Sequence, residues 1–364
     1  MEPITHLAAG LLTAQALRPA VSPHRSPFPG AGKRTTLGFT LLCAAAATIP
    51  DIDSLTSLLG PEAYLLYHRG FTHSLVLLPA FALLLAWMAR RLGADVPLRL
   101  GFLAAALALL THLYLDVSTA FGTQLFAPFS SARVSFEGLF IVDPAFTLAL
   151  FGFALAARRK RQAPRTARAL ALCGLALLVA YPLAGNALRL DMQSRYEAML
   201  AAQGRRDVRV DIAPDALAPV YWKVVLTDGQ DVRVTTASLF DIAAPYPVLR
   251  FERLDRAELE RLGRQASFFG TYAWFAMHPA ERPATPQADT HSPRERRFLD
   301  AVYVNASPVL TALFGSEPGF AECVAYLDGT ERLVAWRDWR GRTHPVPEAG
   351  SGPEAAHAGR SSRQ

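Results

Sequence analysis

Residues 67 to 89 read YHRGFTHSLVLLPAFALLLAWMA. Two histidines, an arginine and a glycine stand directly against an apolar run of membrane length, since ~20 such residues cross the hydrocarbon core of a bilayer. If residues 71 to 89 are a membrane span, the imidazoles and the guanidinium lie at one of its ends.

The rest of the chain agrees with a membrane reading. Of the 364 residues, 51% are hydrophobic, and nearly all the long uncharged runs lie before residue 190. Residues 100 to 117 predict a second span, and residues 139 to 157 and 169 to 188 are nearly as suitable. Residues 4 to 17 and 37 to 50 are shorter, and predict short spans or helices that reach only partway. The formal charge of +6 could suggest a nucleic-acid partner, but the arginines sit at the ends of apolar runs, where membrane topology accounts for them. No nucleic-acid partner is expected. The N-terminus MEPITHLAAGLLTAQAL has neither a basic leader region nor a small-residue cleavage site, and is expected to stay attached as a short helix. Cys43, Cys173 and Cys323 have no neighbour at metal-ligand or redox spacing, and are expected to be buried small hydrophobes.

Orientation follows from lysine and arginine. The segment RRKRQAPRTAR at 158 to 168 is intensely basic; Arg90, Arg91 and Arg99 flank a second loop; Arg18, Arg25, Lys33 and Arg34 crowd a third. The positive-inside rule assigns all three to the cytoplasm. Six alternating helices then leave both termini outside, in a multi-pass protein of the cytoplasmic (inner) membrane.

Beyond the apolar half, VYWKVVL, Asp228-Gly229 and DVRVTTA form a hairpin pattern, and Asp328-Gly329 sits between AECVAYL and ERLVAWRDW in a second. Between them RAELERLGRQASFFGTYAWFAM has helical spacing, and its aromatic stretch FFGTYAWFAMH is expected to be core. The fold class is therefore mainly α: a helical membrane domain over 1 to 189, a small extracytoplasmic α+β domain over 190 to 345, and a disordered tail over 346 to 364.

On this topology the unusual polar residues gather at one end. His6 opens the first short helix; Asp51 and Asp53, in TIPDIDS, close the second; His68, Arg69 and His73 precede or open the span at 71; His112 and Asp116, in THLYLD, end the next. The charge rule that oriented the helices used none of these residues. His112 and Asp116 are four apart, which puts imidazole and carboxylate on one helical face. Asp51 and Asp53 follow Pro50, and an extended D-x-D can direct both carboxylates one way. His68 and His73 bracket Gly70, which permits a tight turn. Imidazole and carboxylate without thiolate suit Zn²⁺, Mn²⁺ or Fe²⁺, as one ion or as a pair. Downstream, Gly122 and Pro128 shape a loop, Arg133 could clamp an anion, and Asp143 precedes Pro144.

Plainer roles compete for several of these residues. Asp53 could be a helix N-cap, Thr72 or Ser74 could cap the span, Arg69 could snorkel to headgroups, and Asp143 before Pro144 has the pattern of an N-cap. Ionisable groups near membrane depth are nonetheless costly and normally have a functional partner.

Taken in order, Thr5-His6, PDID at 50 to 53, HRGFTHS at 68 to 74, HLYLD at 112 to 116, then Gly122, Leu125, Pro128 and Arg133, resemble the YdjM-type family. These are integral-membrane metal-dependent hydrolases, also described as LexA-binding, inner-membrane-associated hydrolases. The resemblance covers residues 1 to about 150. It implies a helical membrane domain, and a hydrolase activity itself inferred from the ligand-like residues. It also implies that His6, Asp51, Asp53, His68, His73, His112 and Asp116 form the site.

The expected function is a membrane-bound metal-dependent hydrolase acting on a phosphoester or lipid-linked substrate at the outer face, with one or two divalent ions, zinc first, activating water. Arg69 and Arg133 would neutralise charge developing on substrate oxygen. The alternative is a non-catalytic, metal-stabilised membrane scaffold or regulator that binds a protein partner through the C-terminal domain. A transporter is disfavoured, because the polar residues gather at one end and not at the bilayer midplane.

Overall fold

The computed structural model describes residues 1–18, 33–216, 218–283, 293–307, 311 and 320–347. Most of the first basic loop, Arg25 included, and the expected tail from residue 348 onward lie outside the described residues. The chain divides into two compact units. The first comprises Met1–Gln203 with Ile212–Lys223 and Ala237–Ala244; the second comprises Gly204–Asp211, Val224–Thr236 and the described residues from Pro245 onward.

The first unit is helical: α1 (Pro3–Leu17), α2 (Lys33–Thr48), α3 (Pro61–Tyr67), α4 (Leu78–Arg91), α5 (Leu98–Val117), α6 (Pro144–Arg159) and α7 (Pro164–Ala202). Most starts are written in the sequence. Pro3 and Pro144 stand at first helical positions, where the missing N–H costs nothing. Glu2 accepts the Thr5 N–H, and Asp143 accepts the Phe146 N–H at 2.9 Å, so Asp143 is an N-cap.

Helix α1 packs against α2, α5, α6 and α7, so this short helix is an internal post of the bundle. Small residues let the backbones approach: a Cβ on Gly10 would stand 2.7 Å from the Cys43 carbonyl oxygen, and one on Gly101 would stand 3.2 Å from the Ala86 Cβ. The apolar cores fall into two groups, one among α2, α4 and α5, the other among α1, α6 and α7.

Three segments among the described residues are long and apolar enough to cross a membrane: Thr36–Leu59, Leu98–Val117 and Pro164–Ala202. The run expected to span from 71 to 89 is broken. Pro61–His73 and Leu78–Arg91 meet at a 73° bend, and would count as a further span only as a broken pair. The break has a local cause. The Ser74 hydroxyl donates to the Ala127 carbonyl at 2.5 Å and accepts the N–H groups of Val76 and Leu77, which ends the polar stretch before Pro79 opens α4. Ser74 therefore closes the turn ahead of α4, whose N-cap is Leu77. Helix α7 runs past the expected domain boundary at 189/190, since Met192, Tyr196 and Leu200 continue its buried face to Ala202. Cys173 on α7 is exposed, in contrast to the burial expected from its apolar neighbours; Cys43 and Cys323 are buried.

After α7 come β1 (Arg209–Pro214), β2 (Tyr221–Asp228), β3 (Asp231–Ser238), β4 (Leu249–Arg253), β5 (Pro279–Glu281), β6 (Arg294–Asp300), β7 (Cys323–Leu327), β8 (Leu333–Arg337) and β9 (Thr343–Pro345). They form one sheet in chain order, and from β3 to β9 each is antiparallel to the next. Gly229, at φ +58°, makes the first expected hairpin turn. In the second, Asp328 accepts the N–H groups of Thr330 and Arg332. The expected helical stretch is two helices, α8 (Arg256–Gly263) and α9 (Ser267–Phe275), and Phe268, Phe269, Tyr272 and Phe275 on α9 are core, as their spacing predicts.

Candidate metal centre

Four segments deliver the polar residues. Helix α1 carries His6 close to its N-terminal end, and the last two turns of α5 carry His112 and Asp116. Helix α2 stops at Thr48, and Pro50 opens a 3-10 helix, Ile49–Leu59, that holds Asp51 and Asp53. The D-x-D is thus helical, not extended, and its two carboxylates diverge. Helix α3 ends at His68; Arg69 then adopts φ +60°, and a 3-10 turn, Phe71–His73, brings in His73. Gly70 is needed because a Cβ there would stand 2.9 Å from the Tyr67 carbonyl oxygen. The left-handed residue of this turn is Arg69, however, a conformation that strains a non-glycine residue.

The inner layer consists of His6, His73, His112, Asp51 and Asp116. His73 Nε2 lies 2.9 Å from His112 Nε2, 2.9 Å from Asp116 Oδ2 and 3.6 Å from Asp51 Oδ1. His112 Nε2 lies 3.3 Å from Asp116 Oδ2 and 3.7 Å from Asp51 Oδ1. His6 Nε2 lies 3.3 Å from Asp116 Oδ1 and 3.9 Å from Asp51 Oδ2, and the His6 ring stacks on that of His112 at 3.8 Å. His6, His73, His112 and Asp116 are fully buried; Asp51, with a side chain 15% exposed, is the edge that reaches the surface.

A second layer orients the first. Asp53 accepts from His68 Nδ1 at 2.7 Å, from the Arg69 backbone N–H at 2.9 Å and from the Thr72 hydroxyl at 2.5 Å; its Oδ2 also lies 3.0 Å from His73 Nδ1, which shares a hydrogen bond with the same Thr72 hydroxyl at 3.0 Å. His112 Nδ1 donates to the Ala47 carbonyl at 2.8 Å. Asp53 and His68, expected as ligands, thus stand behind the imidazoles, and Thr72 belongs to this layer instead of capping a span.

Arg69 is buried, which rules out snorkelling to headgroups. Its guanidinium reaches Asp116 Oδ1 at 3.0 Å, the Asp116 carbonyl at 3.0 Å and the Thr119 hydroxyl at 2.8 Å. The Met1 amino group also lies 2.5 Å from Asp116 Oδ1. Arg133 is engaged one step away, donating to the Phe121 carbonyl, with its guanidinium 5.3 Å from the Phe121 ring; Arg69 lies 5.0 Å from the same ring. The loop carrying Arg133 is tied to the HRGFTHS stretch, since the N–H groups of Gln124 and Leu75 donate to the carbonyls of Arg69 and Leu125, each at 2.9 Å. Thr119 and the Ala47 carbonyl carried no sequence signal, because one is a small hydroxyl in a loop and the other is main chain.

The donor chemistry fits a cation. With His112 Nδ1 donating to Ala47 and His73 Nδ1 engaged by Thr72 beside Asp53, the two Nε2 atoms face each other at 2.9 Å, a separation that either a shared proton or a bound cation between them satisfies. Both nitrogens of His6, Asp51 Oδ2 and Asp116 Oδ2 are buried and make no hydrogen bond. Ligands at about 2.0–2.2 Å from one ion stand roughly 3–3.6 Å apart, close to most of the separations here. His6, Asp51, His112 and Asp116 could together hold a metal ion, each offering one atom within 4.8 Å of the others.

Comparison with known proteins gives two matches. The family model described as YdjM inner membrane protein matches residues 1–187, just over half of the chain and all four site-bearing segments. The chain is also 33% identical over 107 residues to "Uncharacterized protein YfhP" of Bacillus subtilis (strain 168), an alignment covering 28% of this chain and 31% of that protein. No solved structure matches.

Proposed function

The chain belongs to the YdjM inner membrane protein family, and we propose that it is a membrane-bound metal-dependent hydrolase acting on a phosphoester or lipid-linked substrate at the outer face of the cytoplasmic membrane. The observation that carries the reading is the convergence of three imidazole Nε2 atoms and two carboxylates on one point, with the outward nitrogens of two imidazoles already bound. His6, Asp51, His112 and Asp116 would hold one divalent ion, with His73 Nε2 beside Asp116 and His112; zinc suits the donor type, with manganese or iron as alternatives. Such an ion supplies Lewis acidity and activation of water.

The chain's own residues do the rest. Asp53 and the Ala47 carbonyl keep Nδ1 protonated on His73 and His112, so that Nε2 faces inward. Arg69 positions Asp116 and offsets its charge. Asp51, at the exposed edge and with Oδ2 lacking a hydrogen bond, is the group placed to take the proton of an attacking water. Arg133 is the guanidinium proposed to meet an anionic substrate group. The three basic loops join opposite helix ends from the cluster, which supports an orientation with those loops in the cytoplasm and the cluster, with the chain after α7, outside.

A second reading has an observation of its own. Closed sites are structural, and the near-complete burial of the inner layer suits a metal-stabilised scaffold that binds a protein partner through the C-terminal unit. The two separate experimentally. Detergent-purified protein is assayed against phosphodiesters and phospholipids with zinc or manganese, beside His112→Ala. Turnover lost in the variant supports the hydrolase; bound metal without turnover on any substrate supports the scaffold.

A further inference from the structure

The 3-10 helix Ile49–Leu59 is 11 residues long, whereas runs beyond three or four residues are uncommon. Three residues complete a turn, so side chains three apart eclipse one another and form straight rows. One row is Pro50, Asp53, Thr56 and Leu59: Pro50 and Asp53 are buried, Thr56 is half-buried and Leu59, at the helix end, is exposed; the Asp53 carboxylate of this row is the one beside His68 and His73. Another row is Ile49, Ile52, Leu55 and Leu58, exposed by 39, 56, 57 and 78%, with Leu59 beside it at 77%. The segment that holds the site from inside therefore carries an unbroken aliphatic row outside.

We infer that this row is a membrane-interface surface, bedded in the headgroup–acyl boundary of the lipid leaflet at the end of the bundle that carries the cluster. The leaflet is the occupant because Leu37 and Leu41 on the preceding α2 are exposed as well, and because Thr36–Leu59 as a whole is long and apolar enough to cross a membrane. Length favours the boundary over the hydrocarbon core. Helix α2 rises about 24 Å and the 3-10 helix about 22 Å, together well beyond the ~30 Å core. The second part therefore has to tilt steeply or run along the interface, and a single aliphatic row backed by polar residues is the pattern of an interfacial helix. Phe126 and Phe129, on the loop tied to HRGFTHS, add exposed aromatic surface on a neighbouring segment.

The consequence is that whatever the cluster acts on is presented from the leaflet, as an amphiphile with its polar group at headgroup depth. The inference rests on the membrane assignment and not on hydrolysis, and its test reads depth without activity. The full chain carries Cys173→Ser, since Cys43 and Cys323 are buried. Single variants Ile52→Cys, Leu55→Cys and Leu58→Cys, all at exposed positions, are nitroxide-labelled and placed in phosphatidylethanolamine–phosphatidylglycerol vesicles. Power saturation then compares contact with oxygen and with a water-soluble nickel chelate, and Ser54→Cys, on the third row, provides a reference. The expected result is oxygen contact exceeding nickel contact severalfold at all three positions. Nickel contact equal to or greater than oxygen contact overturns the inference, as the row then faces water. Protection from both reagents also overturns it, since a second copy or another protein then covers the row.

Discussion

His73 and His112 meet Nε2 to Nε2 at 2.9 Å, and each has its other ring nitrogen tied down, the first by the Thr72 hydroxyl beside Asp53 and the second by the Ala47 carbonyl. That relationship is what a cation site needs, and it gives the second layer a measurable role.

Asp53→Asn keeps the size of the side chain but removes the charge that holds the His73 Nδ1 proton. Loss of such an outer-layer carboxylate typically weakens metal binding about 10–100-fold. Competition with a calibrated chelator is expected to show a drop of that order, with a smaller drop for His68→Gln, since His68 hydrogen-bonds Asp53 and meets the inner layer only through an edge-on ring contact with His73 at 6.1 Å.

Arg69→Ala leaves Asp116 buried without its guanidinium partner. Removing one member of a buried ion pair costs about 3–5 kcal/mol, and the bonds to Thr119 and the Asp116 carbonyl go as well. Thermal unfolding in detergent is expected to show a clear loss of stability, recovered only in part by Arg69→Lys, because an ammonium cannot reproduce the fork.

Gly138→Ala tests backbone packing beside the bundle. A Cβ there would stand 2.0 Å from the Pro182 carbonyl oxygen, which is main chain and cannot swing aside. Overpacking of this kind costs about 1–3 kcal/mol, so the midpoint of unfolding should fall. Gly152→Ala, where a Cβ meets nothing within 4 Å, should leave it unchanged or slightly raised.

In the C-terminal unit, the Arg261 hydrogen bonds hold the Glu258 carboxyl below its ordinary range; partial burial opposes them and Arg296 reinforces them. A depressed folded-state value contributes stability that is complete above the unfolded-state value, about 4.3, and lost as pH falls through the folded-state value. Unfolding midpoints should therefore decline more steeply on acidification below about pH 4.3 in the parent than in Glu258→Gln.

Much of this site was legible because its residues sit where periodicity and punctuation are strong. The spacing of His112 and Asp116 on a helix placed both on one face, Pro50 marked the end of α2, and positive charge put the basic loops at the other ends of the helices. The layering was not legible. Asp51 and Asp53 lie on a 3-10 helix, where residues two apart diverge, so one carboxylate enters the inner layer while the other orients imidazoles from behind. The broken span was hidden too, since no periodicity announces that Ser74 will bond to Ala127, a residue more than fifty positions away. Arg69 was expected at the site as a cation for substrate oxygen; its pairing with Asp116, reached through a left-handed turn, is a tertiary feature that composition does not encode.

The central claim is that the cluster binds a metal ion, and elemental analysis of the purified protein tests it most directly. Protein extracted in detergent from metal-replete cells without chelator, and mass-analysed beside His112→Ala and Asp116→Ala, should carry about one equivalent of a divalent transition metal that both variants lose. A parent protein free of such metal even after zinc or manganese is supplied, or variants that keep their metal in full, would contradict the account.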